Sequence, residues 1–147
     1  MMEEYTGHPV LERVLVVGAA ADSSIIDVET GWVSALERVG HKVYNYSLRN
    51  RIKLYTEYLG VLKSGLSCAH CGGRVAEPWA PFADADQVTI LQAASECMVH
   101  EVIRHRAQWV LIVSGCSFHP NAAYLTQSIG VPVVTVATEC PYNDKVM

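Results

Sequence analysis

Two stretches of this chain, Arg13-Val14-Leu15-Val16-Val17 and Trp109-Val110-Leu111-Ile112-Val113, are apolar almost without interruption and rich in β-branched residues. A strand with one face in water alternates between apolar and polar side chains. A strand that does not alternate is buried on both faces, as in a parallel sheet covered by helices on either side. Gly18 closes the first run. Asp22, Ser24 and Asp27 are candidate caps for a helix in which Val28, Trp32, Ala35, Leu36 and Val39 recur at helical spacing before Gly40. His41-Lys42-Val43-Tyr44-Asn45-Tyr46 alternates and reads as a shorter strand nearer the sheet edge. Strand, helix and strand in this order make a βαβ unit, whose crossover is expected to be right-handed.

A second helix follows from about Asn50, with Ile52, Tyr55, Leu59, Leu62 and Leu66 on one stripe. Periodicity vanishes from Ser67 to Ala83, a stretch that holds Cys68-Ala69-His70-Cys71-Gly72-Gly73 and Glu77-Pro78-Trp79-Ala80-Pro81. It reads as a long loop at about 67–83, uncommon in compact domains and often functional. A long helix begins near Asp84, with Gln87 in the capping-box position and Val88, Leu91, Ala94, Met98, Val102 and His105 marking its buried side. After the Trp109–Val113 strand come Ser114 and Gly115. Ser117 and Pro120 then open a short helix through Ile129, Gly130 stops it, and Val131 to Ala137 form a fourth strand. No repeat interrupts the pattern. It predicts one α/β domain over residues 1–147, a Rossmann-like three-layer sandwich with a parallel sheet of about four strands in the order 2-1-3-4. Winding reverses between the first and third strands, and ligands of such sheets bind beyond the carboxyl ends of the strands at that reversal.

Composition narrows the function classes. Of 147 residues, 50% are hydrophobic and 18% charged, which suits a buried core and argues against wholesale disorder. With 11 Lys and Arg against 15 Asp and Glu, the net charge is −4, the wrong sign for non-specific nucleic-acid binding. No apolar run approaches the roughly 18 residues of a spanning helix. The opening Met1-Met2-Glu3-Glu4-Tyr5 is acidic where a secretory leader is basic. The expectation is a soluble, cytoplasmic protein without nucleic-acid or membrane partners. Five cysteines, an odd number at irregular spacing, suit free thiols better than a disulfide frame.

Three segments converge on the predicted crevice: Gly18 to Ser24, Ser114 to His119, and Thr138 to Tyr142. The first has one glycine where a dinucleotide fingerprint needs three, and Tyr46-Ser47-Leu48 stand where an acidic residue grips the ribose. No cofactor is expected. Gly18, Asp22 and Ser23 remain candidates for holding a small ligand at a helix N-terminus, the alternative being an ordinary capped turn. In the second segment Ser114 and the Gly115 backbone are the expected ligand contacts. Cys116 with His119 lacks any protease or hydrolase signature, and His119 reads as the opening residue of a helix rather than a base. In the third, Thr138 is a ligand-contact candidate. Glu139 follows a buried strand, where a carboxylate calls for a reason; drawing a proton from a hydroxyl is one, solvating the sheet edge another. Cys68, His70 and Cys71 offer three soft ligands where structural zinc wants four, so no metal site is expected.

Two passages also resemble a known family. "DVETGWVSALERVGHKVYNY", Asp27 to Tyr46, resembles the first helix and second strand of glycosyltransferases of the spore-coat-maturation type and their relatives in actinobacterial phages. "WVLIVSGCSFHPNAAYLTQSIGVPVVTVATECPYND" is more similar still, with an "IVSG" strand, a proline-led helix, a "GVPVV" strand and a Thr138-Glu139-x-Pro141-Tyr142 ending. The resemblance covers residues 13–66 and 84–144. It implies the N-terminal, acceptor-side half of a two-domain GT-B enzyme, inactive alone, with Glu139 as the catalytic base and a sugar acceptor as ligand. The missing C-terminal domain or a homo-oligomer would be its protein partner. The chain ends where the linker to a second domain is expected, and the Cys68–Trp79 loop departs from the family pattern. Two alternatives stand beside it. One is a stand-alone small-ligand or nucleotide-binding module, such as a phage accessory protein. The other is an enzyme resembling nucleoside deoxyribosyltransferases, whose characteristic opening this chain lacks.

Overall fold

A computed structural model describes residues 12–19, 26–64, 87–115 and 117–138. Four strands form one parallel sheet: β1 (Arg13–Gly18), β2 (Lys42–Ser47), β3 (Trp109–Val113) and β4 (Val133–Val136), in the order β2-β1-β3-β4. β1 runs beside β2 from Arg13↔Lys42 to Gly18↔Ser47, and beside β3 from Val14↔Trp109 to Val17↔Ile112. β4 joins the far side of β3, from Val110↔Val133 to Val113↔Val136. The helices are α1 (Ile26–Val39), α2 (Leu48–Ser64), α3 (Gln87–His105) and α4 (Pro120–Ser128). This is the expected Rossmann-like α/β fold with its expected strand order. Residues 67–83, which read as a long loop, lie outside the described residues.

The two uninterrupted apolar strands are the two central ones, and alternate residues along them feed two separate cores. Leu15, Val17, Val110 and Ile112 point to the side where Ala94, Met98 and Val102 of α3 and Ala122 of α4 pack. Val14, Val16, Leu111 and Val113 point to the opposite side, toward Leu36 of α1. All eight strand residues are buried, and full burial of each such side chain stabilises by about 1.5–3 kcal/mol. β2 lies at the sheet edge, as its alternation predicts. Tyr46 is its buried anchor, and its phenol donates to the Ala94 carbonyl of α3. Burial pushes that phenol above its ordinary range.

α1 departs from the pattern read in its sequence. Leu36 is buried and Val33 packs on the sheet, but Val28, Trp32, Ala35 and Val39 are exposed. The helix carries two apolar lines, and the one that meets the sheet runs through Glu29, Val33 and Leu36 at i, i+4 and i+7. α3 differs less: Ala94, Met98 and Val102 are buried, whereas Val88 in its first turn is exposed. His105, at its end, stacks on Tyr44 of β2 with ring centroids 4.0 Å apart.

Candidate functional site

β1 and β3 are neighbours whose chains depart in opposite directions, β1 toward β2 and β3 toward β4. With Val17 level with Ile112, Gly18 at the end of β1 stands beside the start of the Ser114-Gly115 turn. The structure therefore brings Gly18, Ser114 and Gly115 together at the reversal. Thr138 lies two residues past β4, one strand beyond β3 and about 10 Å from the line of β1 at ordinary strand spacing. Asp22, Ser23, Cys116, Glu139 and the Cys68–Cys71 cluster lie outside the described residues.

Gly18 is glycine because of a close approach. Its φ is ordinary, so backbone conformation makes no demand. A Cβ there would sit 2.6 Å from Glu29 Cδ and nearer still to both carboxylate oxygens. The first turn of α1 thus lays a carboxylate on the Cα face of Gly18, at the carboxyl end of the central strands. Glu29 is half-buried, and burial is the cause that raises its carboxyl above the usual range. No hydrogen bond or ion pair joins it to another described residue. Sequence reasoning missed Glu29. The available signal was its place on the line Glu29, Val33, Leu36, where a carboxylate interrupts an otherwise apolar, sheet-facing row.

The turn after β3 is held in a costly conformation. Ser114 and Ser117 both have positive φ, 74° and 64°, and Gly115 has 74°. For a serine each such conformation costs on the order of 1–2 kcal/mol. Ser114 is buried and its amide donates to the Val136 carbonyl at 2.8 Å, so sheet bonding extends one residue past the strand. The Phe118 amide donates to the Gly115 carbonyl at 3.1 Å and closes the turn. Gly115 also needs its hydrogen: a Cβ would press on Thr135 Cγ2 at 3.2 Å.

A polar cluster pins this turn to α3. The His119 amide donates to Ser95 Oγ at 2.9 Å, and that hydroxyl donates to the Leu91 carbonyl at 2.7 Å. His119 caps α4, its Nδ1 accepting from the Asn121 amide at 3.3 Å. In the neutral ring the proton therefore sits on Nε2, and the imidazole is a helix cap with an N–H donor, not a base poised through Nδ1. Gln92 Nε2 and Asn121 Nδ2 both donate to Glu96 Oε1, at 2.8 and 2.5 Å. Those two bonds, Gln92 first, hold the Glu96 carboxyl below its usual range.

Elsewhere, a depression of about 390 Å³ beside β2 and α2 is lined by Asn45, Ser47, Asn50, Arg51 and Glu101 among others. Its one carboxylate, Glu101, already faces His105 Nε2 at 3.1 Å and Arg104 at 3.7 Å. Ser47 there caps α2, accepting from the Asn50 amide at 3.3 Å. The end of β2 carries no acidic side chain of its own, as the sequence indicates. Among the described residues no group of three His, Cys, Asp or Glu is placed to hold a metal ion, and no helix is long and apolar enough to cross a membrane. Comparison with protein-family models, with curated proteins and with solved structures returned no match.

Proposed function

We propose that this domain binds a small, hydroxyl-bearing molecule in the crevice beyond β1 and β3, as the acceptor-side half of a GT-B glycosyltransferase. The observation that carries the reading is the Glu29 carboxylate lying on Gly18 at the strand-order reversal. In nucleotide-binding sheets of this kind a glycine-rich turn and a helix N-terminus cradle a diphosphate at that place. A carboxylate in the same place repels a diphosphate and accepts hydrogen bonds from hydroxyls. The geometry therefore favours a neutral polyol over the nucleotide reading. In the complete enzyme, Glu139 draws the proton from the acceptor hydroxyl as the glycosidic bond forms, an effect of roughly 10²–10⁴-fold in rate. The nucleotide-sugar is held by the other domain, so this chain alone turns over no donor.

Titration calorimetry with simple glycosides and with nucleoside-diphosphate sugars tests the proposal on the wild type, Glu29→Gln and Ser114→Ala. A hydrogen bond to a charged group contributes about 1.5–3 kcal/mol, so Glu29→Gln is expected to weaken glycoside binding by roughly tenfold or more. Ser114→Ala is expected to weaken it less. Unchanged affinity in both variants, or tight binding of nucleotide sugars with glycosides inert, would refute the crevice assignment. Sugar transfer by the isolated chain would refute its role as half of an enzyme.

A further inference from the structure

Arg51 of α2 is half-buried, and no hydrogen bond or ion pair joins its guanidinium to another described residue. Several other cations have partners. Arg13 Nε donates to the Arg106 carbonyl at 2.8 Å, and Lys42 lies over the Tyr44 ring. Lys53 faces Glu57 at 3.7 Å, the two standing at i and i+4 on one helix. At the same spacings Arg51 has only Ser47 and Leu48 before it and Leu54 and Tyr55 after it, so its own helix offers it no carboxylate. Its charge lies close to the sheet, near enough to the Tyr46 phenol to work against the burial that raises that group.

Arg51 lines the depression of about 390 Å³ beside β2, with Asn45, Ser47, Asn50, Leu54 and Glu101. That volume is in the range of small-molecule sites. Most of its polar groups can donate. Asn45 and Asn50 each carry a side-chain NH₂, and Ser47, whose Oγ accepts from the Asn50 amide at 3.3 Å, keeps its hydroxyl hydrogen for a further acceptor. The one carboxylate there, Glu101, is engaged with His105 Nε2 at 3.1 Å and with Arg104 at 3.7 Å. A guanidinium fork matches a carboxylate with two parallel hydrogen bonds. One carboxylate charge answers one guanidinium, whereas a doubly charged phosphate brings its second charge up against Glu101.

We propose that this depression binds a small hydroxycarboxylate, with its carboxylate on Arg51 and its hydroxyl among Ser47, Asn45 and Asn50. The carboxylate supplies the counterion that Arg51 lacks, and the neutral donors beside it take the hydroxyl oxygen. Ser47 ends β2 level with Gly18, which puts the site about 5 Å to the side of the crevice beyond β1 and β3. Gly18, Glu29 and Ser114 do not line it, so the inference stands apart from the ligand proposed for that crevice.

NMR titration of the whole chain at constant ionic strength, with glycerate, glycerol and inorganic phosphate as probes, tests this. Glycerate is expected to shift the Ser47 and Asn50 amides and Arg51 Nε with millimolar affinity, while glycerol, which lacks the carboxylate, leaves them in place. Arg51→Ala is expected to weaken glycerate binding about tenfold or more, and Arg51→Lys, which keeps the charge but loses the fork, by less. Ser47→Asp is the second variant: aspartate still caps α2 but sets a fixed carboxylate in the depression, so binding is lost with an unchanged far-UV spectrum. Lys53→Ala, outside the depression, is expected to leave the affinity unchanged. No shift with glycerate, equal shifts with glycerol, tighter binding of phosphate, an affinity indifferent to Arg51→Ala and Ser47→Asp, or one lost with Lys53→Ala would overturn the inference.

Discussion

Gly18→Ala is a small change with a computable consequence, because two opposing effects meet at one atom. Gly18 has ordinary φ, so alanine fits the backbone and restricts the unfolded chain, a gain of about 0.4–1 kcal/mol. Against that, the new methyl occupies the place of the Glu29 carboxyl group, which has to swing away. The obstacle is the far end of a flexible side chain, so relief takes a rotamer change costing about 0.5–1.5 kcal/mol. The two nearly cancel, and the single variant alone is expected to lie within about 1 kcal/mol of wild type. The informative quantity is the coupling. In a Glu29→Ala background the three atoms nearest the methyl are gone, and Gly18→Ala is expected to stabilise by the entropic gain. A double-mutant cycle from urea denaturation, with Gly18→Ala, Glu29→Ala and the double variant, should therefore show an interaction of about 0.5–1.5 kcal/mol. Additivity within about 0.3 kcal/mol, the scatter of independent sites, would show that Glu29 does not rest on Gly18. The crevice would then lose the carboxylate on which its proposed ligand class depends.

Two further outcomes follow from the same geometry. Burial raises the Glu29 carboxyl, so the folded state holds that proton more tightly than the unfolded chain does; the penalty is fully present above the raised value and gone below the unfolded one. Glu29→Gln is accordingly expected to raise Tm at neutral pH, with the two melting curves converging as pH falls to 4.5 and below. A difference that grows on acidification would reverse the sign and refute the desolvation account. Ser95→Ala leaves the His119 amide without its acceptor in a site where the serine is fully buried, at a cost of about 1–3 kcal/mol, or about 2–4 °C of Tm per kcal/mol. Ser128→Ala, whose hydroxyl bonds the Tyr124 carbonyl at the surface, is the control and should stay within about 0.5 kcal/mol.

The fold is legible in the sequence at the places where chemistry is local. Leu15 and Val17 against Val14 and Val16 is a pattern only a doubly covered strand tolerates, and the same holds for Val110 through Val113. Two such strands, two shorter ones and four helical stretches between them leave few arrangements besides a parallel sheet with its winding reversed at the centre. Gly18, Ser114 and Gly115 fall at that reversal for the same reason: they end a strand or follow one.

What tertiary structure decided is where elements meet side to side. α1 has two apolar lines, and nothing within the helix says that Val33 and Leu36 rather than Val28, Trp32 and Val39 face the sheet; that choice is made by how the helix docks on β1 and β2. Glu29 reaches Gly18 only at one depth of that docking, and His119 meets Ser95 only once α4 lies against α3. Periodicity reports which residues share a face, because backbone geometry repeats every two or 3.6 residues. It carries no information on the rotation and translation of one packed element against another. Those are settled by close packing among residues distant in sequence, and the site is built from such contacts.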